Sequence, residues 1–136
     1  MQYVPPFESI KQFLKFATIR GETVVSMKYE EAQQMIRALL SAFDVDEAWY
    51  LRQNPDVVAG VKDGSIRSAK EHFVDHGYFE GRPPFSVTID EKWYLEQNPD
   101  VAETVKQGAY VSGQDHYDGP GYREGRLPFP LRPPSA

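Results

Sequence analysis

His72 and His76 stand four residues apart with Glu71 and Asp75 beside them. On a helix that spacing lets two imidazoles share one metal ion, with the carboxylates completing the site of a metal-dependent enzyme. Glu80-Gly81-Arg82 and Glu124-Gly125-Arg126 offer two guanidinium forks that suit phosphate or carboxylate. Trp49-Tyr50 and Trp93-Tyr94, with Tyr78 and Tyr122 further on, supply aromatic faces that could stack on sugar rings. Asp44, Asp46, Asp56 and Asp63 lack the alternation, central glycine and terminal glutamate of a calcium loop. The chain has no nucleophile-elbow serine, phosphate-binding Gly-Lys-Ser/Thr loop, dinucleotide fingerprint or HExxH helix.

Most of these residues occur twice. Asp46-Glu47-Ala48-Trp49-Tyr50-Leu51-Arg52-Gln53-Asn54-Pro55-Asp56-Val57 returns as Asp90-Glu91-Lys92-Trp93-Tyr94-Leu95-Glu96-Gln97-Asn98-Pro99-Asp100-Val101. The register holds without a gap through His72 and His116 to Phe85 and Phe129, a period of 44 residues with half of the paired positions identical. Such a period marks a stacked supersecondary unit. A residue kept in both copies belongs to the fold of the unit before it belongs to a single active site. His72 recurs as His116 but His76 becomes Pro120, so the recurring histidine reads as a half-buried side chain bonded to backbone. Arg82 and Arg126 read as partners of Asp56 and Asp100 or of helix-end carbonyls, although two equivalent arginines could also frame an anion between the copies. One aromatic of each Trp-Tyr pair is expected in the core, with the tyrosine turned towards the surface.

The bulk numbers narrow the function classes. At 136 residues the chain suits one compact domain, and neither repeat alone buries much apolar surface, so the copies are expected to pack on each other or on the segment before them. Fifteen Lys and Arg against twenty Asp and Glu leave a formal charge of −5 with no basic run, which disfavours nucleic-acid binding. The absence of cysteine excludes disulfides, thiol catalysis and iron–sulfur ligation. No apolar run approaches the roughly 20 residues that span a bilayer, and no signal-peptide pattern opens the chain, so no membrane insertion and a cytoplasmic location are expected.

The patterning predicts an all-α fold: an N-terminal segment of amphipathic helices (1–42), two tandem repeats of three short helices each (43–86 and 87–129) and a proline-rich tail (130–136). Phe7, Ile10, Phe13, Leu14 and Ala17 recur at helical spacing up to a stop at Gly21, and Ile19 to Val25 reads equally as a short extended linker or as helix. Ser26 then caps a helix of about 16 residues whose apolar stripe includes Met35, Ile36, Leu39 and Leu40. In each repeat Asp46 or Asp90 caps the first helix, and Asn-Pro ends it and caps the second. Gly64 or Gly108 closes the second helix, and Ser68 or Ser112 opens the third. Pro120, in Asp118-Gly119-Pro120-Gly121, is expected to cut the third helix of the second copy short. Phe85 and Phe129 are expected to turn back towards the core, and the tail to be extended.

The pattern Trp-Tyr-Leu-x-x-Asn-Pro-Asp-Val, followed by His-Phe/Tyr-x-x-x-Gly-Tyr-x-Glu-Gly-Arg-x-Pro-Phe, resembles a bacterial tandem repeat. That repeat occurs in large proteobacterial surface proteins of the calcium-binding-repeat type and in segments flanking polysaccharide glycosyltransferases. The resemblance spans Phe43 to Phe129 and implies an accessory module near glycan or envelope machinery, with no defined catalytic residues. The expectation is a non-enzymatic helical-repeat interaction or scaffold protein that self-associates or binds a protein partner. No catalytic, cofactor-binding or metal residue is assigned and no cofactor is expected; the interaction surface is placed at Met35, Leu39, Tyr78, Tyr122, Arg82 and Arg126. A glycan-binding accessory that uses exposed aromatics is the alternative, and a metal-dependent enzyme at His72 and His76 a weaker one.

Overall fold

The computed structural model describes residues 3–131, so most of the proline-rich tail lies outside the described residues. The chain is mostly helical, with two similar helical units preceded by a segment that departs from the all-α expectation. A short helix α1 (Phe7–Lys11) gives way to a hairpin of β1 (Lys15–Ile19) and β2 (Glu22–Ser26). The helix predicted to run through Ala17 stops early because Phe16, Thr18, Ile19, Thr23, Val24 and Val25 favour a pleated strand. Arg20 and Gly21 both take positive φ (52° and 81°), the two-residue turn whose twist matches an antiparallel pair. The run from Ile19 to Val25 is therefore the heart of a hairpin, neither linker nor helix. Helix α2 (Tyr29–Leu40) is 12 residues long and begins after Lys28, since Ser26 is held in β2 and caps nothing.

The first repeat contains α3 (Glu47–Gln53), α4 (Pro55–Asp63) and α5 (Ala69–His72); the second contains α6 (Glu91–Gln97), α7 (Pro99–Lys106) and α8 (Gly113–His116). The Asp46 and Asp90 carboxylates accept from the amides of Trp49 and Trp93 at 3.0 and 3.1 Å. Ser68 and Ser112 cap α5 and α8 in the same way, and Gly64 and Gly108 stand at φ 84° and 81°. Asn54 and Asn98 behave otherwise than expected. Neither side chain caps the helix that follows; each Nδ2 donates to the carbonyl of Tyr50 or Tyr94 at 2.7 Å and closes the helix before it.

Both third helices continue as a single π turn, Phe73–Gly77 and Tyr117–Gly121, so Pro120 does not shorten the second one. A π turn pairs residues five apart, and this widening moves the carbonyl of His116 away from the proline ring. The turn also fixes Gly77 and Gly121. A Cβ at these positions would lie 2.1 Å from the Tyr50 hydroxyl and 2.5 Å from that of Tyr94.

Each repeat has its own apolar cluster, so the copies do not share one core. Tyr50, Val57, Ala69, Phe73 and Val74 form the first, with Leu40 of α2 packed against it. Ile89, Tyr94, Val101 and Tyr117 form the second, covered in part by Val87 from the connecting chain. Among the described residues, those before Ala42 contribute no fully buried side chain.

Candidate interaction surfaces

In each repeat the chemistry-bearing residues converge on one internal network. The hydroxyl of Tyr50 meets His72 Nδ1 at 2.8 Å, and that of Tyr94 meets His116 Nδ1 at 2.9 Å. Tyr50 and Tyr94 are completely buried, whereas Trp49 and Trp93 keep partial exposure, the reverse of the expectation for these pairs. Burial pushes the Tyr50 phenol up to about 12 and holds His72 below its ordinary 6.5. At neutral pH both groups are therefore uncharged, and the imidazole tautomer sets which of them donates. His72 is bonded to a side chain and not, as expected, to backbone.

The arginines have the acidic partners expected of them. Arg82 grips both oxygens of Asp56 (2.9 and 2.8 Å) and donates to Asn54 Oδ1 at 2.9 Å. Arg126 repeats this on Asp100 (2.9 and 2.7 Å) and Asn98 (2.8 Å). The hydrogen bonds from Arg126 bring the Asp100 carboxyl down to about 2, and those from Arg82 lower Asp56 in the same direction. Each fork thus ties the end of a repeat to its second helix and leaves little guanidinium for an anion. Arg82 lines the space between the copies and Arg126 does not, so the two arginines frame no shared site.

His72 and His76 have ring centroids 5.7 Å apart, but among the described residues no three histidine or acidic side chains are grouped as a metal site requires. His72 already spends Nδ1 on Tyr50.

Two surfaces remain. The first is a cleft of about 710 Å³ between the repeats. Trp49, Pro83 and Phe85 form one wall; Pro120, Tyr122 and Arg123 form the other. Phe85 and Phe129, expected to turn inwards, are 43% and 41% exposed, and Phe85 faces this cleft. Tyr122 is half-buried in it, its phenol pushed up by burial and by nearby Tyr78. Tyr78 itself lies edge-on to Phe73 and Phe79 and outside the cleft lining.

The second surface is the N-terminal segment. All ten strand residues are exposed, including the cross-strand pairs Phe16–Val25 and Ala17–Val24 on opposite faces of the hairpin. On α2, Met35 is half-buried and Leu39 exposed. The helix touches the first repeat through Leu40 and through Arg37, which donates to the Asp75 carbonyl at 3.2 Å and lies 4.9 Å over the Phe79 ring. The expected surface residues are thus divided among four places: Met35 and Leu39 on α2, Tyr122 in the cleft, Tyr78 against Phe73 and Phe79, and Arg82 and Arg126 in the ion pairs. The hairpin is the part that sequence reasoning missed, and alternating Thr, Val and Ile around Arg20-Gly21 was the signal that could have revealed it. Among the described residues no helix is long and apolar enough to cross a membrane. No family model, curated protein or solved structure matches the chain.

Proposed function

We propose that the chain is a non-enzymatic interaction protein in which the two repeats are a rigid platform and the N-terminal segment is the assembly element. One observation carries this reading. A two-stranded hairpin with Phe16, Ile19, Val24 and Val25 open to solvent cannot gain much stability from its own chain. Apolar surface of this kind on a soluble protein marks a contact site. The partner assigned is a second copy, whose hairpin edge would extend the sheet to four strands and continue the apolar face of Phe16 and Val25 across both copies. The resemblance to repeats found near polysaccharide and envelope machinery supports an accessory role there, with no reaction of its own.

Light scattering behind size exclusion tests this. The expected mass is twice the 15.5 kDa of the chain, falling to a single chain when Phe16→Asp and Val24→Asp are combined. A single-chain mass for both proteins overturns the assignment.

A second reading, a glycan-binding accessory, is favoured by the aromatic walls of the cleft. It expects saccharides to shift tryptophan emission through Trp49 and expects Tyr122→Ala to weaken that response. Unchanged emission across acidic and neutral oligosaccharides removes it.

A further inference from the structure

The two repeats part company at the cleft. In the first repeat α2 lies over the π turn: Arg37 donates to the Asp75 carbonyl and sits above the Phe79 ring, and Val74 is buried. One period later these positions are Gly119, Arg123 and Asp118, and all three line the cleft. On the second repeat the cleft therefore opens over positions that α2 covers on the first. The exchange runs from apolar to polar, Val74 to Asp118 and Phe79 to Arg123. A vacant seat for an amphipathic helix would have kept its apolar residues.

Arg123 also helps to build the cleft. Its stem lies against the exit turn of the first repeat, where a Cβ at Gly81 would be 3.1 Å from Arg123 Cγ. The side chains of Arg123 and Gln53, both in the lining, form no hydrogen bond or ion pair with any described residue. Asp118 accepts from the neutral amide of Gln114 at 2.8 Å and pairs with no cation among the described residues. Formal charge in the lining balances, Arg82 and Arg123 against Asp118 and Glu124, which matches a ligand without net charge. The free groups are mixed in kind: Arg123 only donates, Asp118 only accepts and Gln53 does both. A proline-rich peptide strand offers mainly carbonyl acceptors and leaves the carboxylate unanswered. A hydroxyl donates and accepts at one atom, so a run of hydroxyls satisfies the whole set. Trp49, Phe85 and Tyr122 add electron-rich ring faces that suit the C–H faces of a pyranose. The volume of about 710 Å³ is that of a small-molecule site.

We propose that the cleft takes a neutral, hydroxyl-rich oligosaccharide. Its pyranose faces lie against Trp49 and Tyr122, and its hydroxyls donate to Asp118 and accept from Arg123. The proposal rests on the glycan-binding reading of the cleft and gives it a ligand class and two specificity residues that the first repeat lacks. It is independent of hairpin-mediated assembly.

In the full chain carrying Trp93→Phe, Trp49 is the one indole left to report. This protein is titrated with neutral hexasaccharides of glucose, galactose and mannose, with hexagalacturonate and with a proline-rich peptide. A neutral hexasaccharide should give a saturable change in emission, with the same Kd from about 50 to about 500 mM salt. Asp118→Val combined with Arg123→Phe restores the residues of the first repeat and should weaken binding about tenfold or more. Asp118→Asn, which keeps the shape of the side chain, should weaken it less. Binding of hexagalacturonate alone overturns the proposal and leaves the glycan reading standing. Neutral binding that neither variant alters also overturns it, since the saccharide then lies elsewhere. Binding of the peptide alone, or of nothing in the series, removes the proposal and the glycan reading together.

Discussion

The repeats and the segment before them are stabilised by opposite means. Each repeat encloses a tyrosine–histidine pair at the centre of a small apolar cluster and locks its exit with an arginine on an aspartate. The described residues up to 41 include no fully buried side chain, yet hold a regular hairpin and a 12-residue helix. On the proposed function, the difference separates scaffold from contact surface. Residues that look catalytic are spent inside the repeats, and residues that look like ordinary apolar filler in the N-terminal segment are left facing solvent.

The largest expected effect that could break this division is loss of a core tyrosine. Tyr50→Ala and Tyr94→Ala should each cost about 3–5 kcal/mol, the range for emptying a buried aromatic site. Urea unfolding monitored by circular dichroism measures this, and a loss below about 1 kcal/mol in either would mean that the two clusters are not the source of stability. Next comes Gly77→Ala, whose new Cβ would meet the Tyr50 hydroxyl at 2.1 Å. It should cost about 1–3 kcal/mol as an overpacking substitution, and its counterpart Gly121→Ala should behave alike. Unequal costs would show that Pro120 has loosened the second π turn after all.

A smaller effect depends on pH. His72 is held below its ordinary 6.5 by burial, so as pH falls the unfolded chain takes up this proton first. Stability should therefore be fully present above about pH 6.5 and decline below it, until His72 protonates in the folded state. His72→Gln should flatten that slope in urea titrations between pH 7 and pH 5. A slope unaltered by the substitution would place the proton uptake elsewhere. The smallest effect on stability is expected at the hairpin, where Phe16→Asp should change unfolding by no more than about 0.5 kcal/mol while abolishing association.

Much of the repeat was legible in advance because its signals are local and doubled. Aspartate and serine caps, left-handed glycines and the arginine–aspartate pair each follow from short-range chemistry repeated at the same register. The roles of Tyr50 and Trp49 were read in reverse because both fit an amphipathic helix, and only the position of His72 decides which ring lies beneath it. Asn54 occupies a cap position, but Arg82 draws its oxygen away from the following helix, a competition set by tertiary contact. The hairpin was mistaken for a helix because Phe13, Leu14 and Ala17 have helical spacing while the strand signal lies in Thr and Val. The cleft was not legible at all, since it depends on how two similar units are set side by side.

Amide hydrogen exchange followed over a range of chain concentrations tests the division between platform and assembly element most directly. Amides of α3, α4, α6 and α7 should exchange at rates independent of concentration, whereas those of Lys15–Ile19 and Glu22–Ser26 should become more protected as concentration rises. Strand amides whose protection does not change with concentration would show that the hairpin owes nothing to a second copy, and would contradict the account.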